Sequence, residues 1–200
     1  MINRADIHYI ECMKKVTITA DEEVARSNII LIGMPGSGKS TVGVILAKLT
    51  SRGFTDTDVL IQTSESRSLQ EIVDADGYTA LRKIEEEILL RLDCRNHVIA
   101  TGGSAVYSRI AMEQLKLDGV IVFLDVDMAT LESRIYDFES RGLAKRPDQT
   151  LADLFAERRP LYAKYADIVL QCAGLTHEEV CARIINSHLH RGLQFPRNLR

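Results

Sequence analysis

The segment from residue 33 to residue 40 has the composition of a phosphate-binding loop. It reads GMPGSGKS and matches the pattern GxxxxGK[ST] at every fixed position. Its glycines let backbone N–H groups turn inward around an anion, Lys39 can reach the β- and γ-phosphates of a nucleotide, and Ser40 can bind Mg²⁺. An apolar run, Asn28 to Ile32, precedes the loop and is predicted to be a buried parallel strand. An amphipathic segment follows the loop, so both sides have the context that the motif requires. The expected ATP contacts are Gly33, Pro35, Gly36, Ser37, Gly38, Lys39, Ser40 and Thr41.

Two carboxylates form a second group with chemical potential. Asp56 and Asp58 flank Thr57 at the end of a segment that reads as a second strand. If the strand continues through them, both side chains point to the same side, and in an open parallel sheet that end faces the ligand crevice. One carboxylate could hold the water shell of Mg²⁺ and the other could accept a proton from a substrate hydroxyl. The alternative is that one of them only caps the next helix.

Short apolar runs alternate with segments of helical periodicity along the rest of the chain. Val120 to Leu124 is the clearest strand, and Leu151 to Tyr165 is predicted to be a helix. This alternation predicts an α/β fold with a mostly parallel sheet. With no repeat and no linker, we expect one domain over residues 28–187, an N-terminal extension over residues 1–27 and a basic tail over residues 188–200.

Composition excludes several classes of protein. The 200 residues carry a net charge of −3, whereas a general nucleic-acid binder usually has a basic excess. No apolar run approaches the roughly 20 residues of a membrane span, and the N-terminus lacks the apolar core of a signal peptide. We therefore expect a cytoplasmic protein with no nucleic-acid or membrane partner. Its four cysteines form no CxxC pair, which argues against a zinc site or a disulfide framework.

Further motifs make the chain resemble a shikimate kinase over about residues 29–186. After the phosphate loop they follow in the family's order: TDTD at 55–58, LRKIEE at 81–86, TGG at 101–103, KRP at 145–147, ERRPLY at 157–162 and AD at 166–167. The resemblance implies a three-layer α/β/α P-loop kinase fold with a five-stranded parallel sheet and a mobile lid at about residues 139–152. It also implies a monomeric enzyme that uses ATP and Mg²⁺ to phosphorylate a hydroxyl of shikimate.

The resemblance assigns roles to individual residues near the acceptor. Asp56 would hold Mg²⁺ through water, and Asp58 would hydrogen-bond the accepting hydroxyl as the candidate base. Arg82 and Arg158 would grip the substrate carboxylate, a task suited to a planar guanidinium group. Glu85, one helical turn after Arg82, could hold that arginine in place, although the two could also be a solvated pair.

The remaining implied roles concern backbone donors and the lid. Gly102 and Gly103 would offer N–H groups to the substrate, unless they form an ordinary turn. Arg146 would sit in the lid and neutralise charge on the transferring phosphoryl group, with Arg141 and Lys145 as rivals. Arg134 matches a family arginine that packs against adenine.

Three features depart from the family pattern or leave a choice open. Ser104 stands where shikimate kinases usually carry a third glycine, and Arg146-Pro147 is followed by DQT instead of a leucine pair. Arg158 and Arg159 are adjacent, so only one can face the pocket, and the family spacing selects Arg158. These departures affect the substrate and the lid, so a kinase for another hydroxy acid or polyol, such as gluconate, stays as an alternative.

Other classes of P-loop protein are also considered. A GTPase switch would show an NKxD motif, which is absent from the sequence. A regulatory ATPase would use Asp125, at the end of the VIVFLD strand, as its Mg²⁺ ligand, but Val126 follows where such ATPases often place a glutamate. A non-catalytic binding module is disfavoured because Lys39, Ser40, Asp56 and Asp58 are all intact.

Overall fold

The computed structural model describes residues 26–134 and 142–189, and every structural statement below concerns those residues. Nearly all of the predicted extension, the part of the predicted lid up to Arg141, and residues 190–200 of the predicted tail lie outside them. The predicted domain boundaries at both ends of the chain therefore stay predictions.

Five parallel strands form the sheet, as the alternating pattern predicts. Their order across the sheet is β2-β3-β1-β4-β5, and every neighbouring pair is parallel. The central strand β1 and its neighbour β4 are buried at every residue, which explains their continuous apolar runs. The strands are β1 (Asn28–Ile32), β2 (Gly53–Asp56), β3 (His97–Ala100), β4 (Gly119–Asp125) and β5 (Ile168–Gln171).

Helices connect the strands and cover both faces of the sheet. Ser68 and Thr150 each begin a helix with a capping box, so two starts are fixed by local side-chain hydrogen bonds. A short 3-10 helix, Ala105–Tyr107, follows β3. The α-helices are α1 (Lys39–Thr50), α2 (Thr57–Glu65), α3 (Leu69–Asp76), α4 (Tyr78–Leu90), α5 (Arg109–Asp118), α6 (Met128–Arg134), α7 (Leu151–Tyr165) and α8 (His177–Leu189).

One apolar core holds the sheet and most of the helices together. It joins β1, β3 and β4 to α1, α5, α7 and α8. A smaller cluster of Ile61, Ile72, Leu81 and Ala144 packs α2, α3 and α4 against the segment that precedes α7. This second cluster forms one wall beside the carboxyl ends of the strands. None of the helices described is long and apolar enough to cross a membrane.

Candidate active site

A cavity of about 590 Å³ opens at the carboxyl ends of the parallel strands. Its size suits a small-molecule site, and its position is the usual ligand position in an open α/β sheet. Most of the residues predicted from sequence line it. They are Pro35, Gly36, Gly38, Lys39, Ser40, Thr41, Asp58, Glu85, Gly102, Gly103, Arg134 and Arg158.

The phosphate loop has the backbone that its glycines make possible. Gly33 has φ +148°, and a β-carbon there would lie 2.8 Å from the carbonyl oxygen of Leu124. Gly38, with φ +93°, forms the N-cap of α1 and turns the chain into the helix. The Ser37 hydroxyl is buried without a hydrogen-bond partner among the described residues. It is therefore a donor that an anionic ligand bound in the loop could satisfy. The N-terminus of α1 and the loop together form an anion-binding cradle.

Lys39 is buried at the start of α1, beside the loop. Its Nζ donates hydrogen bonds to the carbonyl oxygens of Gly33 and Met34, both at 2.9 Å. Burial lowers the pKa of Lys39 to about 8, although Asp58 and Asp56 raise it. The ammonium group is thus held between the loop and the carboxylates, where it can compensate phosphate charge.

The two aspartates occupy different elements, so the interpretation of both as strand residues is wrong. β2 ends at Asp56, and Asp58 lies in the first turn of α2. The capping alternative is confirmed for Asp56, whose Oδ1 accepts a hydrogen bond from the Asp58 backbone N–H at 3.0 Å. Asp58 lines the cavity, and burial raises the pKa of its carboxyl while Lys39 lowers it. A carboxylate placed in this way can accept a proton from a bound hydroxyl.

The turn after β3 brings backbone close to charged side chains. A β-carbon on Gly102 would lie 2.3 Å from Oε1 of Glu85, and one on Gly103 would lie 2.9 Å from Nη1 of Arg158. Glycine at both positions lets the backbone approach these side-chain ends without displacing them. The Gly102 N–H donates to Thr57 Oγ1 at 2.9 Å. The Gly102 N–H is therefore already engaged by Thr57, and of the two predicted backbone donors Gly103 is the one that does not make this bond.

Glu85 and Arg82 do not pair in the way that their helical spacing suggests. The structure gives each a different partner: Glu85 accepts a hydrogen bond from the Ser104 hydroxyl, and Arg82 stacks on the ring of Tyr107. Glu85 is 2% exposed, and its Oε1 has no hydrogen-bond partner among the described residues. Burial, with the nearby Asp58, raises the pKa of Glu85 to about 7.

Arg82 and Arg158 converge on one point at the acceptor end of the cavity. Arg82 Nη2 and Arg158 Nη2 donate to the same carbonyl oxygen, that of Ala144, at 3.0 and 2.7 Å. Arg158 lines the cavity and is 1% exposed, whereas Arg82 borders an adjoining cleft. The remaining N–H groups of two guanidinium groups that converge in this way can bind a carboxylate next to that oxygen.

Arg159 has a different environment, which agrees with the choice of Arg158. Its guanidinium forms a paired hydrogen bond with Asp125, at 3.1 and 2.8 Å, and is half-exposed. Gln171 also donates to Asp125, at 2.6 Å. Since Asp125 is engaged by two side chains and does not line the cavity, the structure gives no support to its use as a Mg²⁺ ligand.

Gly142, Leu143 and Ala144 of the predicted lid line the cavity, but its predicted phosphate-contacting residue, Arg146, does not. The Arg146 side chain is 51% exposed and pairs with Glu157 at 3.3 Å, so it does not line the cavity in this conformation. Lys145 precedes it in the same loop, and Arg141 lies outside the described residues. Gly33, Ser37, Asp56 and Arg82 also do not line the cavity directly.

Sequence reasoning missed several site residues. Ser104 stands at a family glycine position that is expected to lie close to the substrate, and it lines the cavity; Ala144 and His177 also line it and are not among the predicted site residues. His177 begins α8 and lies against the phosphate loop, near Gly38. No sequence pattern marks it, because the contact joins residues far apart in the chain. Tyr107 was missed for the same reason.

These features define a P-loop phosphotransferase with an anion-binding acceptor site. A family model described as shikimate kinase matches residues 35–188. The shikimate kinase of Aquifex aeolicus is 39% identical over 160 residues, covering 80% of this chain and 94% of that protein. That of Thermodesulfovibrio yellowstonii is 37% identical over 164 residues, covering 80% and 94%. The chain belongs to the shikimate kinase family, and it is an ATP-dependent phosphotransferase that acts on a hydroxyl group.

Solved structures give the same result. The structure of shikimate kinase from Acinetobacter baumannii in complex with shikimate has a TM-score of 0.77 and 30% identity, covering 84% of this chain and 96% of that one. The Aquifex aeolicus shikimate kinase structure has a TM-score of 0.71 and 36% identity, covering 83% and 98%. The predicted P-loop kinase fold is confirmed.

Proposed function

We propose that this chain transfers the γ-phosphoryl group of ATP to the 3-hydroxyl of shikimate, giving shikimate 3-phosphate and ADP. The observation that carries the proposal is the convergence of Arg82 and Arg158 on one acceptor atom, Ala144 O, while Ala144, Arg158 and Asp58 line the same cavity. A carboxylate bound by the two arginines belongs to a small acid, and the hydroxyl that meets Asp58 belongs to the same molecule. Shikimate carries both groups.

The phosphoryl transfer is assigned to groups around the phosphate loop. The acceptor oxygen forms a bond to the γ-phosphorus, the bond from that phosphorus to the β,γ-bridging oxygen breaks, and ADP leaves with the bond's electrons. Asp58 takes the proton of the acceptor hydroxyl. Lys39 and the backbone N–H groups of the loop compensate the charge on the phosphates, which is the largest contribution that a protein makes to this reaction.

Mg²⁺ is part of the proposal. Ser40 and Asp56 offer a hydroxyl and a carboxylate, the hard oxygen ligands that this ion prefers, and Mg²⁺ sites commonly use only one or two carboxylates, with water and phosphate filling the rest. No group of three or more His, Cys, Asp or Glu side chains that could hold a metal ion occurs among the described residues. When bound with ATP, the ion neutralises phosphate charge.

Other parts of the proposal concern nucleotide contacts and surroundings. Arg134 lines the cavity and is proposed to pack against adenine, while Arg146 is proposed to reach the phosphoryl group from the lid. A monomer is proposed, as the resemblance to the family implies. The free thiols of Cys94, Cys172 and Cys181 suit the reducing cytoplasm.

An ADP-release assay with a panel of acceptors tests the proposal. We expect Mg²⁺-dependent ADP release with shikimate and release near background with gluconate and with neutral polyols. Release of ADP with gluconate but not with shikimate would overturn the acceptor and keep the phosphotransfer. Absence of stimulation by any hydroxylated acid would overturn the arginine-based acceptor site itself.

A further inference from the structure

Tyr107 contacts both arginines that converge on the acceptor end of the cavity. It ends the short 3-10 helix after β3, and its ring centre lies 3.7 Å from Cζ of Arg82. Its hydroxyl oxygen accepts a hydrogen bond from Nε of Arg158 at 3.3 Å. One side chain therefore joins Arg82 of α4 to Arg158 of α7 through two different interactions, a cation–π contact and a hydrogen bond.

The Tyr107 hydroxyl is itself oriented by a third residue. It donates its proton to Oε1 of Glu157, which leaves its lone pairs for Arg158. Glu157 is held from the other side by Gln149, whose Nε2 donates to Oε2 at 2.6 Å. The direction of the phenol is thus determined by a hydrogen-bond chain and not by packing alone.

The arrangement addresses a physical difficulty of the acceptor site. Arg82 and Arg158 are like charges that meet at Ala144 O, so they repel each other where both must point. The electron-rich face of an aromatic ring stabilises a guanidinium placed over it, and the phenol oxygen offers the second guanidinium an acceptor. Without Tyr107, Arg82 would keep only the more distant ring of Tyr78, whose centre lies 5.1 Å from its Cζ, and Arg158 would lose the acceptor of its Nε.

We propose that Tyr107 is a positioning residue that determines specificity for a carboxylated acceptor, because it aims Arg82 and Arg158 at a single anion. Tyr107 does not line the main cavity but borders the adjoining cleft with Arg82, so it acts through the arginines. The inference rests on the proposed function, in which these arginines bind the acceptor carboxylate.

Two variants separate the two interactions. Tyr107→Phe keeps the ring under Arg82 and removes the hydroxyl contact to Arg158, whereas Tyr107→Leu removes both. Tyr165→Phe and Tyr165→Leu are matched controls, since Tyr165 is also half-buried but ends α7 just before β5 begins, at the opposite end of the sheet from the cavity.

The measurement is kcat/KM for shikimate and for its neutral carboxamide. We expect the acid-to-amide ratio to fall about tenfold in Tyr107→Leu and about threefold in Tyr107→Phe, magnitudes typical of losing one or two such contacts to a charged group. In the Tyr107 variants, kcat/KM for the amide and the KM for ATP should keep their wild-type values. Both Tyr165 controls should keep the wild-type acid-to-amide ratio.

The outcomes that would overturn the inference differ from those that would overturn the proposed function. If wild type prefers the acid and both Tyr107 variants lose activity equally on acid and amide, Tyr107 has only a structural role and the inference fails. If wild type shows no preference for the acid, the arginine site itself is misassigned. Should Tyr107→Leu not fold, the Tyr107→Phe ratio alone decides, because an unchanged ratio there excludes a directing role for the hydroxyl.

Discussion

The Ser104 hydroxyl donates a hydrogen bond to the Glu85 carboxylate inside the wall of the active-site cavity. Glycine, which the family pattern predicts at the position of Ser104, has no side chain and could not make this bond. The bond favours the ionised form of Glu85 and lowers its pKa, but burial is the larger effect and raises the pKa to about 7. Glu85 is therefore a buried carboxyl that takes up a proton close to neutral pH.

The stability of the protein should depend on Glu85 in a defined pH range. A pKa raised from 4.5 in the unfolded chain to about 7 in the folded one means that the folded state holds more protons between these values. The unfolding free energy that Glu85 contributes is then fully present below the unfolded pKa and is lost as the pH rises through 7. Glu85→Gln, which carries no charge, should gain about 2 to 3 kcal/mol relative to wild type between pH 5 and pH 8.

Urea denaturation of wild type and Glu85→Gln at pH 5 and pH 8 measures this difference. Ser104→Ala removes the hydrogen bond that lowers the pKa of Glu85, so its pH dependence should shift to higher pH. Ser108→Ala is the matched control, because the Ser108 hydroxyl accepts a hydrogen bond from Ala111 N, whereas the hydroxyl that donates to Glu85 is that of Ser104. A difference between wild type and Glu85→Gln that is the same at both pH values would contradict the prediction.

Lys39→Ala should reduce turnover by about two or more orders of magnitude and leave the fold intact. The variant loses the ammonium group beside the phosphates, and loss of one such charge stabiliser costs several kcal/mol in the transition state. Lys48→Ala, on an exposed part of the same helix, should keep wild-type activity. Steady-state ADP release and circular dichroism check both expectations, and full activity in Lys39→Ala would refute the assignment.

Asp58→Asn should lower kcat with little change in the KM for shikimate. The amide preserves the shape of the side chain and its place in the cavity but cannot take a proton from the acceptor hydroxyl. We expect a loss of about two to four orders of magnitude, as for removal of a general base. Asp93→Asn, an exposed aspartate after α4, serves as the control. An equal kcat in Asp58→Asn and wild type would show that Asp58 is not the base.

Arg82→Ala should mainly raise the KM for shikimate. The substitution removes one of the two guanidinium groups at the carboxylate position while Lys39 and Asp58 stay in place. Truncating one partner of a buried charge pair costs about 2 kcal/mol or more, so the KM should rise at least about thirtyfold. Lys83→Ala, the exposed neighbour, should behave as wild type. An unchanged KM in Arg82→Ala would remove Arg82 from the acceptor site.

Asn28→Ala should destabilise the central strands. The buried Asn28 amide donates to the carbonyl oxygen of Cys94 at 2.7 Å and accepts from the His97 N–H at 2.9 Å, which fixes the start of β3 beside β1. Alanine leaves both backbone groups without this partner, at a cost of about 2 kcal/mol or more. Urea denaturation of this variant and of Ser27→Ala, which loses a single exposed contact, measures the difference. Equal unfolding free energies would contradict the expectation.

Much of the fold follows from local patterns. The predicted strand Asn28 to Ile32 and the predicted helix Leu151 to Tyr165 are confirmed residue for residue. A fully buried strand gives an unbroken apolar run, and the capping box at Thr150 marks the start of its helix, so both signals lie within the segment itself. Asp58 was misassigned to a strand because the TDTD segment has no apolar period. Asp56 both ends β2 and caps α2, so the end of the strand and the start of the helix share one residue.

The sequence by itself determined the phosphate site. Every part of it, from the glycines that allow Gly33 and Gly38 their backbone angles to Lys39, lies within eight residues, so one local motif carries the chemistry. For the acceptor site, the family motifs predicted most of the residues, but the contacts among them depend on tertiary structure. Helical spacing suggests that Glu85 holds Arg82. In the structure, Glu85 accepts a hydrogen bond from Ser104 and Arg82 stacks on Tyr107, and both of these partners follow β3. Contacts between elements distant in the chain depend on how the sheet brings loop ends together, and no local period encodes them.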